Sequence, residues 1–575
     1  MGKWMLKQMP PHMDQMPIDS GDLGKVLISG CFQQETTVGD KKRPFITYIP
    51  EEMHNCQPAI VAALPSGVDS LEYMEQSGLR ALADEKKLFL FLLSPEGEAW
   101  DLSGADADFM NAVYVEAQAR DYYVTMQDNF YACGLGDGAN VAHQAASKRS
   151  SEWSGLMTIG DVEENLFGNE PDRQVSGMGA NGELQIAAER TQLPVWMAVG
   201  CWEGSNRMAA EYWRMNNHSG EEVFSSKDAD YIWFPNPVRQ TLEMDEEKIA
   251  QVRVTVGDTE CSLQRLQTMF SYIGMARRHR GQGKKILRYY KDPVQCGAQK
   301  KTCQVDGFTR EWYEYVPDCC SPDQKWPLVF VMHGRGGTAE TFFDISNMYQ
   351  VANRRKFIVV CPQASVYQQK KGGLKNVATW EGMLDKTPID DVRFFHVMIA
   401  DIESRLPVDK GRIYACGQSA GGLMADTLCE FAGELFAATV SWSALYTPSR
   451  TYIRRERCKD APASVMIFGA KDRLTVGTGE SWGLPFAISE DFRNMIEEKF
   501  RRYGLDKAAV QVWTDYPITW YSYPNSQGVP MFTVGVVDDM VHANYPEESW
   551  ISYDQFFCQF YRDEEGKLCY RGKKL

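Results

Sequence analysis

The chain carries four landmarks twice, in the same order and about half of its 575 residues apart. This internal repeat limits the possible folds, because each half must be able to form the same structural unit. The landmarks are a Tyr-x-Pro tripeptide, an apolar run ending in a turn, a Tyr-Ala-Cys-Gly segment, and a proline before another apolar run. They lie at residues 48–50 and 315–317, 60–67 and 328–337, 131–138 and 414–421, and 194–200 and 462–469. We therefore predict two homologous domains, 1–280 and 281–575, with a boundary in the basic stretch 277–285.

In the second half, apolar runs alternate with segments of helical periodicity. The runs 328–331 and 357–361 are continuous, as expected for strands covered on both faces of a parallel sheet. Between them, Ile345, Met348 and Ala352 recur at the spacing of one helix face. This alternation predicts an α/β fold in which each domain has a mostly parallel, doubly wound sheet flanked by helices.

Composition excludes several classes of function. With 61 Lys and Arg against 77 Asp and Glu, the formal net charge is −16, and no basic face is evident for nucleic acid. No apolar run approaches the roughly 18 residues of a membrane span, and the first residues lack the apolar core of an export signal. The 15 cysteines, an odd number without metal-site spacing, suit a reducing compartment. We expect a cytoplasmic, globular protein that binds neither nucleic acid, membrane nor metal.

Gly417-Gln418-Ser419-Ala420-Gly421 stands between a predicted strand and a predicted helix. A G-x-S-x-G turn in this setting is typical of a nucleophile elbow, in which small neighbours let the chain reverse sharply. The serine then lies at a helix N-terminus, where backbone N–H groups favour a developing negative charge. Ser419 is the predicted nucleophile, and the N–H of Ala420 is a predicted donor to the oxyanion.

A serine nucleophile needs a base and a third group that orients the base. His542 is the single histidine after Ser419 and follows the last predicted strand. Asp472 is the predicted acid, because it follows the apolar strand 465–468 and a carboxylate at the end of a strand would reach the imidazole. Asp539, three residues before His542, is the alternative acid.

A glycine-rich turn, His333-Gly334-Arg335-Gly336-Gly337, follows the first long strand of the second half. Its backbone is expected to supply the second oxyanion donor, for which we select the N–H of Arg335; an ordinary tight turn is the alternative. Gln418, Trp380 and Trp442 are predicted substrate contacts. For the two tryptophans, core packing is an equally good interpretation.

These motifs, with Asp390-Asp391-Val392 and Val408-Asp409, resemble the poly(3-hydroxybutyrate) depolymerase and feruloyl esterase-like branch of the α/β-hydrolases over about residues 288–562. The resemblance implies hydrolysis of a carboxylic ester through an acyl-serine intermediate, without a metal or organic cofactor. The expected substrates are small soluble esters with short-chain, hydroxyacyl or aromatic acyl groups such as feruloyl.

The first half departs from this pattern at the decisive positions. Gly136 stands in the place of Ser419, and residues 65–67 replace the start of the glycine-rich turn. No histidine lies between His218 and the boundary stretch 277–285, and Glu203, near the acid position, lacks a partner. We predict a degenerate, catalytically inactive domain that stabilises, roofs or dimerises the active one, so a homo-oligomer through this domain is an expectation. His143 is predicted to be a surface or packing histidine.

Three other functions remain open from the sequence. An acyltransferase or a serine peptidase would use the same triad with a different acceptor or substrate. A non-enzymatic binding protein would fit the first half but leave the Ser, Asp and His set of the second half unexplained.

Overall fold

The computed structural model describes most of the chain. The described residues are 5–8, 25–26, 28–117, 119–120, 123–125, 129–167, 174–179, 182–187, 191–236, 248–278, 287–369, 375–381, 389–444, 456–472, 474–476, 488–538 and 540–575. The main division of the chain into two compact units falls between Tyr290 and Lys291. No helix within the described ranges is both long and apolar enough to cross a membrane.

The first unit is built on a ten-stranded sheet in the order β1-β2-β3-β5-β4-β8-β9-β12-β14-β13. Up to Tyr290 the strands are β1 (Lys7–Gln8), β2 (Gly30–Val38), β3 (Lys41–Ile49), β4 (Ala59–Ala63), β5 (Phe89–Leu93), β6 (Ala119–Arg120), β7 (Tyr123–Val124), β8 (Phe130–Leu135), β9 (Gly155–Ile159), β10 (Gln174–Gly179), β11 (Gly182–Ala187), β12 (Val195–Val199), β13 (Tyr231–Trp233), β14 (Val252–Val256), β15 (Ala276–Arg278) and β16 (Leu287–Tyr289). The helices are α1 (Ser70–Gln76), α2 (Leu79–Lys86), α3 (Ala105–Glu116), α4 (Gly138–Lys148), α5 (Gly204–Asn216) and α6 (Leu263–Ile273).

The second unit has its own ten-stranded sheet in the order β17-β18-β20-β19-β23-β24-β25-β28-β27-β26. After Tyr290 the strands are β17 (Gln299–Val305), β18 (Phe308–Tyr315), β19 (Trp326–Met332), β20 (Ile358–Pro362), β21 (Val366–Gln369), β22 (Lys375–Ala378), β23 (Val408–Gln418), β24 (Ala438–Trp442), β25 (Ala463–Gly469), β26 (Gln511–Asp515), β27 (Ile518–Pro524), β28 (Pro530–Val537), β29 (Phe560–Arg562), β30 (Leu568–Tyr570) and β31 (Lys573–Lys574). The helices are α7 (Ala339–Ser346), α8 (Met348–Arg355), α9 (Asp391–Arg405), α10 (Ala420–Phe431), α11 (Glu490–Tyr503) and α12 (Glu548–Ile551).

The two sheets repeat one topology. Nine successive strands of the first sheet, from β2 to β13, occur in the same order as nine of the second, from β17 to β27. The central strands are parallel in both, and β4 and β5 are buried at every residue, which agrees with their continuous apolar sequences. The predicted fold class, two mostly parallel α/β sheets flanked by helices, is confirmed.

One predicted element differs from the structure. Ile345, Met348 and Ala352 were assigned to one helix, but the structure has two, because Asn347 adopts a left-handed conformation at φ 55° between α7 and α8. An asparagine tolerates this conformation, and Asn347 alone therefore separates α7 from α8.

Both units contain a buried arginine–aspartate ion pair that joins an early strand to a helix. The pairs are Arg43–Asp106 and Arg310–Asp391, each with a shortest N–O distance of 2.7 Å. In both units the guanidinium also lies over a phenylalanine ring three residues after the aspartate; these rings are Phe109 at 4.1 Å and Phe394 at 4.0 Å. Asp391, part of the family-like Asp-Asp-Val motif, thus has a structural position within the core.

Substituting Asp391 by alanine should destabilise the second unit strongly, because it leaves the Arg310 guanidinium, 1% exposed, without its counter-charge. We expect the free energy of unfolding, measured by urea denaturation, to fall by about 3–5 kcal/mol. Glu403→Ala is the control, because its partner Lys410 is 71% exposed, and should cost less than about 1 kcal/mol. Equal losses in the two variants would contradict this interpretation of the buried pair.

Candidate active site

Ser419 occupies a sharp turn between β23 and α10. Its backbone has φ 55° and ψ −117°, a conformation that costs a non-glycine residue about 1–3 kcal/mol. Its N–H donates to the carbonyl of Trp442 on the neighbouring strand at 2.8 Å. A Cβ on Gly421 would lie 2.1 Å from the carbonyl oxygen of Met332, so this motif position has room for glycine alone. The turn has the geometry that the G-x-S-x-G spacing predicts.

Ser419, His542 and Asp472 form one hydrogen-bonded series. The Nε2 atom of His542 lies 2.9 Å from Ser419 Oγ, and its Nδ1 atom lies 2.9 Å from Asp472 Oδ2. The Asp472 carboxylate is fully buried, whereas the imidazole is 27% exposed. With the proton on Nδ1, Nε2 is free to accept the serine proton while the carboxylate fixes the ring. Asp539, the alternative acid, lies outside the described residues.

The segments that carry Asp472 and His542 are packed against each other. Lys471 N–H donates to Met540 O at 2.9 Å, and Ser443 Oγ donates to Ala543 O at 2.9 Å. A Cβ on Gly469 would lie 2.0 Å from Met540 O. These contacts hold the residues on both sides of His542 close to the ends of β24 and β25. Asp472 follows β25, and Ser419 lies beside the end of β24.

The glycine-rich turn after β19 lies directly against Ser419. A Cβ on Gly334 would lie 3.3 Å from Ser419 Cβ and 2.5 Å from Gln418 Oε1. Gly336 N–H donates to Ala378 O at 2.8 Å, which fixes the far side of the turn. The structure therefore brings the backbone around Arg335 to the site, as the sequence predicts, while the Arg335 side chain is exposed.

His333 has a supporting role that the sequence analysis did not identify. It is buried, and its Nε2 accepts from Ala364 N–H at 3.1 Å, so Nδ1 carries the proton and donates to Gly334 O at 2.7 Å. Burial lowers the pKa of His333 to about 4, which keeps the ring neutral. The imidazole thus stabilises the turn from its buried side. In the sequence, the position of His333 as the first residue of the HGRGG motif was the signal that could have indicated this role.

Trp380 and Trp442 do not offer their rings to a substrate. Both are fully buried, Trp380 donating from Nε1 to His333 O at 2.9 Å and Trp442 from Nε1 to Ser552 Oγ at 3.0 Å. In the first unit, Trp100 donates to Leu64 O at 2.9 Å in the same way as Trp380. The expected stacking on an acyl group is therefore corrected to core packing that supports the site.

Gln418 does lie at the site. Its side chain is half-buried, and its Nε2 atom is 3.5 Å from His542 Nε2. The corresponding residue of the first unit is Leu135, which follows from the pairing of Met332 with Gly417 and of Ala63 with Gly134. A polar side chain at this position is thus specific to the second unit.

The first unit repeats the turn but fills the space around it. Gly136, at φ 57°, donates its N–H to Ile159 O at 2.8 Å, the bond that Ser419 makes to Trp442. Pro65 stands in the position of Gly334, and its ring would lie 3.1 Å from a Cβ on Gly136. A side chain on Gly136 would therefore meet the proline ring.

In the first unit, a carboxylate also accepts the hydrogen bond of the amide that corresponds to the predicted oxyanion donor. Ser66 is the counterpart of Arg335, and its N–H donates to Asp137 Oδ1 at 2.8 Å, while its Oγ contacts Asp137 Oδ2 closely. By the registers of the paired strands, Glu203 is the counterpart of Asp472, and Ser262 is the counterpart of His542. Glu203 is exposed, and Ser262 caps α6.

His143 of the first unit is a packing residue. It is fully buried, and its Nδ1 accepts from Trp213 Nε1 at 3.0 Å. Burial lowers its pKa to about 3, so the ring stays neutral.

One cluster outside the candidate site has the residue types of a metal site. Among the described residues, the ligand atoms of Asp426, Cys429 and Glu430 lie within 4.8 Å of one another. The ammonium of Lys499 stands there instead, 2.6 Å from Asp426 Oδ1 and 3.0 Å from Glu430 Oε1. This cluster is therefore an ion-pair network that ties α11 to α10.

No protein-family model matches the chain. A stretch of 179 residues is 24% identical to feruloyl esterase B from Neurospora crassa, which corresponds to 30% of this chain and 54% of the relative. The chain thus spans about half the length of this relative. It resembles the feruloyl esterases. The resemblance predicted from the motifs is confirmed by this match.

Solved structures similar to this chain include three esterases. The acetyl xylan esterase from Aspergillus awamori is 14% identical with a TM-score of 0.34, over 45% of this chain and 99% of that one. An S-formylglutathione hydrolase from Agrobacterium tumefaciens is 15% identical with a TM-score of 0.32, over 45% and 93%. A ferulic acid esterase from Anaeromyces mucronatus is 14% identical with a TM-score of 0.29, over 48% and 90%.

Substituting Gly334 by proline would copy the residue of the first unit, whose fold accommodates Pro65 beside Gly136. We expect the variant to fold, with the proline ring crowding the Ser419 side chain, because a Cβ on Gly334 already lies 3.3 Å from Ser419 Cβ. Its kcat for ester hydrolysis should fall at least about 100-fold, the scale of losing an oxyanion contact.

Gly334→Ala serves as the graded comparison, because the smaller side chain should cost less than proline. Thermal melts of both variants check the fold. Full turnover by the proline variant would contradict the need for a glycine beside Ser419.

Proposed function

We propose that the chain is a serine carboxylic-ester hydrolase whose active site lies in the second domain. The observation that carries the proposal is the Ser419–His542–Asp472 series, with both hydrogen bonds at 2.9 Å. The strained turn at Ser419 and the adjoining glycine-rich turn support it, because acyl transfer needs an exposed nucleophile and a site for the oxyanion.

In acylation, Ser419 Oγ attacks the ester carbonyl carbon while His542 Nε2 accepts the hydroxyl proton. The buried carboxylate of Asp472 stabilises the imidazolium that forms. The carbonyl oxygen becomes an oxyanion, which the N–H groups of Ala420 and Arg335 stabilise; one such hydrogen bond is worth about 3 kcal/mol in the transition state.

Collapse of the tetrahedral intermediate completes the first half of the reaction. His542 returns the proton to the alcohol oxygen, the ester C–O bond breaks, and the acyl group remains on Ser419. In deacylation, water gives a proton to His542 Nε2 as it attacks the acyl carbon. The bond from the acyl carbon to Ser419 Oγ then breaks, His542 returns the proton to Oγ, and the carboxylic acid leaves. These steps need no metal or organic cofactor.

The proposed substrates are small soluble esters with short-chain, hydroxyacyl or aromatic acyl groups. The match to a feruloyl esterase favours an aromatic acyl group such as feruloyl. Gln418, at 3.5 Å from His542, is the proposed polar contact to the bound ester.

We propose that the first domain is catalytically inactive. Gly136 offers no nucleophile, Ser262 stands where a base is required, and Asp137 places a carboxylate on the Ser66 amide. The negative charge of the Asp137 carboxylate beside that amide opposes binding of an oxyanion. Stabilisation of the active domain and homo-oligomer formation through the first domain stay predictions.

Ser419→Ala should lower kcat by about 10⁴-fold or more, because removing a triad nucleophile leaves only binding and the oxyanion contacts. Steady-state hydrolysis of chromogenic acetyl, butyryl and feruloyl esters measures this loss. Ser66→Ala, at the corresponding edge of the first domain, should leave turnover unchanged. Undiminished activity in the Ser419 variant would refute the mechanism.

Product analysis separates the alternative chemistries. Formation of a new ester when alcohols or sugars are added would identify an acyltransferase, and cleavage of a peptide panel would identify a peptidase. Release of free acid from esters alone is the result expected for the proposed hydrolase.

A further inference from the structure

The turn that presents His542 is tied to a buried carboxyl group. This turn, residues 540–547, connects β28 to α12, whose first residue is Glu548. Glu548 Oε2 accepts from Tyr545 N–H at 3.1 Å, and Oε1 accepts from Asn544 Nδ2 in a close contact. Both donors lie two or three residues after His542, so the carboxyl group holds the turn immediately beside the imidazole.

The element that carries Glu548 is itself anchored. Ser549 Oγ donates to Ser346 O at 2.6 Å, and Ser552 Oγ donates to Glu548 O at 2.6 Å. Ser552 also accepts from Trp442 Nε1 at 3.0 Å, on the strand next to the nucleophile turn. The carboxyl group of Glu548 is therefore held in position by contacts outside the turn, and it can in turn fix the position of the turn.

The first domain provides an internal comparison. There, α6 follows directly after Ser262, the counterpart of His542, and the hydroxyl of Ser262 caps that helix by accepting from Arg265 N–H. The domain that lacks a histidine at this position thus also lacks the extended turn. The turn and its carboxyl group occur together with the base.

The surroundings of Glu548 disfavour its charged form. The residue is 2% exposed, and burial, the largest effect, raises the pKa of its carboxyl to about 8. The hydrogen bonds from Asn544 and Tyr545 act in the opposite direction, and the negative charge of Glu547 raises the pKa further. The thiol of Cys416 on β23 also faces it, and burial keeps that thiol neutral.

We propose that Glu548 is the positioning residue of the His542 turn. The inference rests on the proposed role of His542 as the base. Both oxygens of the carboxyl group accept hydrogen bonds from the turn, one from Asn544 and one from Tyr545. Removing the carboxyl group leaves these two buried donors without their acceptor, so the turn rearranges and Nε2 moves away from Ser419.

Glu548→Ala tests this, because it removes the acceptor for the Asn544 and Tyr545 donors. We expect it to lower kcat at least about tenfold at pH 7 with KM within about threefold. Glu548→Gln keeps the shape and an acceptor for Tyr545 N–H, and should keep kcat within about twofold of wild type. Glu547→Gln, which alters the neighbouring carboxylate instead, should leave kcat unchanged.

A second readout follows from the raised pKa. The carboxyl is protonated more easily in the folded chain than in the unfolded chain, so its contribution to stability is present at low pH and lost as the pH rises to about 8. The melting temperature of the wild type should therefore fall relative to Glu548→Gln between about pH 5 and pH 8.

The outcomes separate this inference from the proposed function. An alanine variant with unchanged kcat, or a glutamine variant that loses as much kcat as the alanine variant, would overturn the role of Glu548 while leaving the esterase intact. A wild type without ester turnover, or full turnover in Ser419→Ala, would instead remove the proposed function and with it the reason for a positioned base.

Discussion

The close approach of the nucleophile turn to the end of β19 is the constraint on which the site depends. A Cβ on Gly421 would lie 2.1 Å from Met332 O, so the start of α10 sits almost in contact with the strand end. The turn that continues from this strand is consequently held against Ser419, where its amides can reach an oxyanion. The same constraint exists in the first domain, where a Cβ on Gly138 would lie 2.4 Å from Ala63 O.

The duplication separates what the fold requires from what the chemistry requires. The buried ion pairs Arg43–Asp106 and Arg310–Asp391 occur in both domains, and so does a tryptophan that donates to the carbonyl before the turn. These groups serve the scaffold. The first domain has a different residue type at each of the positions of Ser419, His542, Gly334 and Gln418, so the two domains differ where the proposed reaction takes place.

Local patterns made much of this predictable from the sequence. Continuous apolar strands and the G-x-S-x-G spacing are properties of neighbouring residues. Chain order was enough to select His542, and the position after an apolar strand favoured Asp472 over Asp539. The indole of Trp380 is buried against a carbonyl 47 residues away. The Ser66 N–H is occupied by the carboxylate of Asp137, 71 residues away. Glu548 was equally hidden, because a glutamate at the start of a helix is ordinarily a solvated residue. Such contacts arise only when the sheet assembles.

The central claim, one acyl-transfer nucleophile in a duplicated chain, is tested most directly by mapping a covalent adduct. The full-length protein is treated with a fluorophosphonate, digested, and analysed by peptide mass spectrometry, with a parallel sample protected by excess ester. Our account predicts one adduct, on Ser419, that the ester prevents from forming, and none in residues 1–290. An adduct in the first domain, or ester turnover that continues without modification of Ser419, would contradict it.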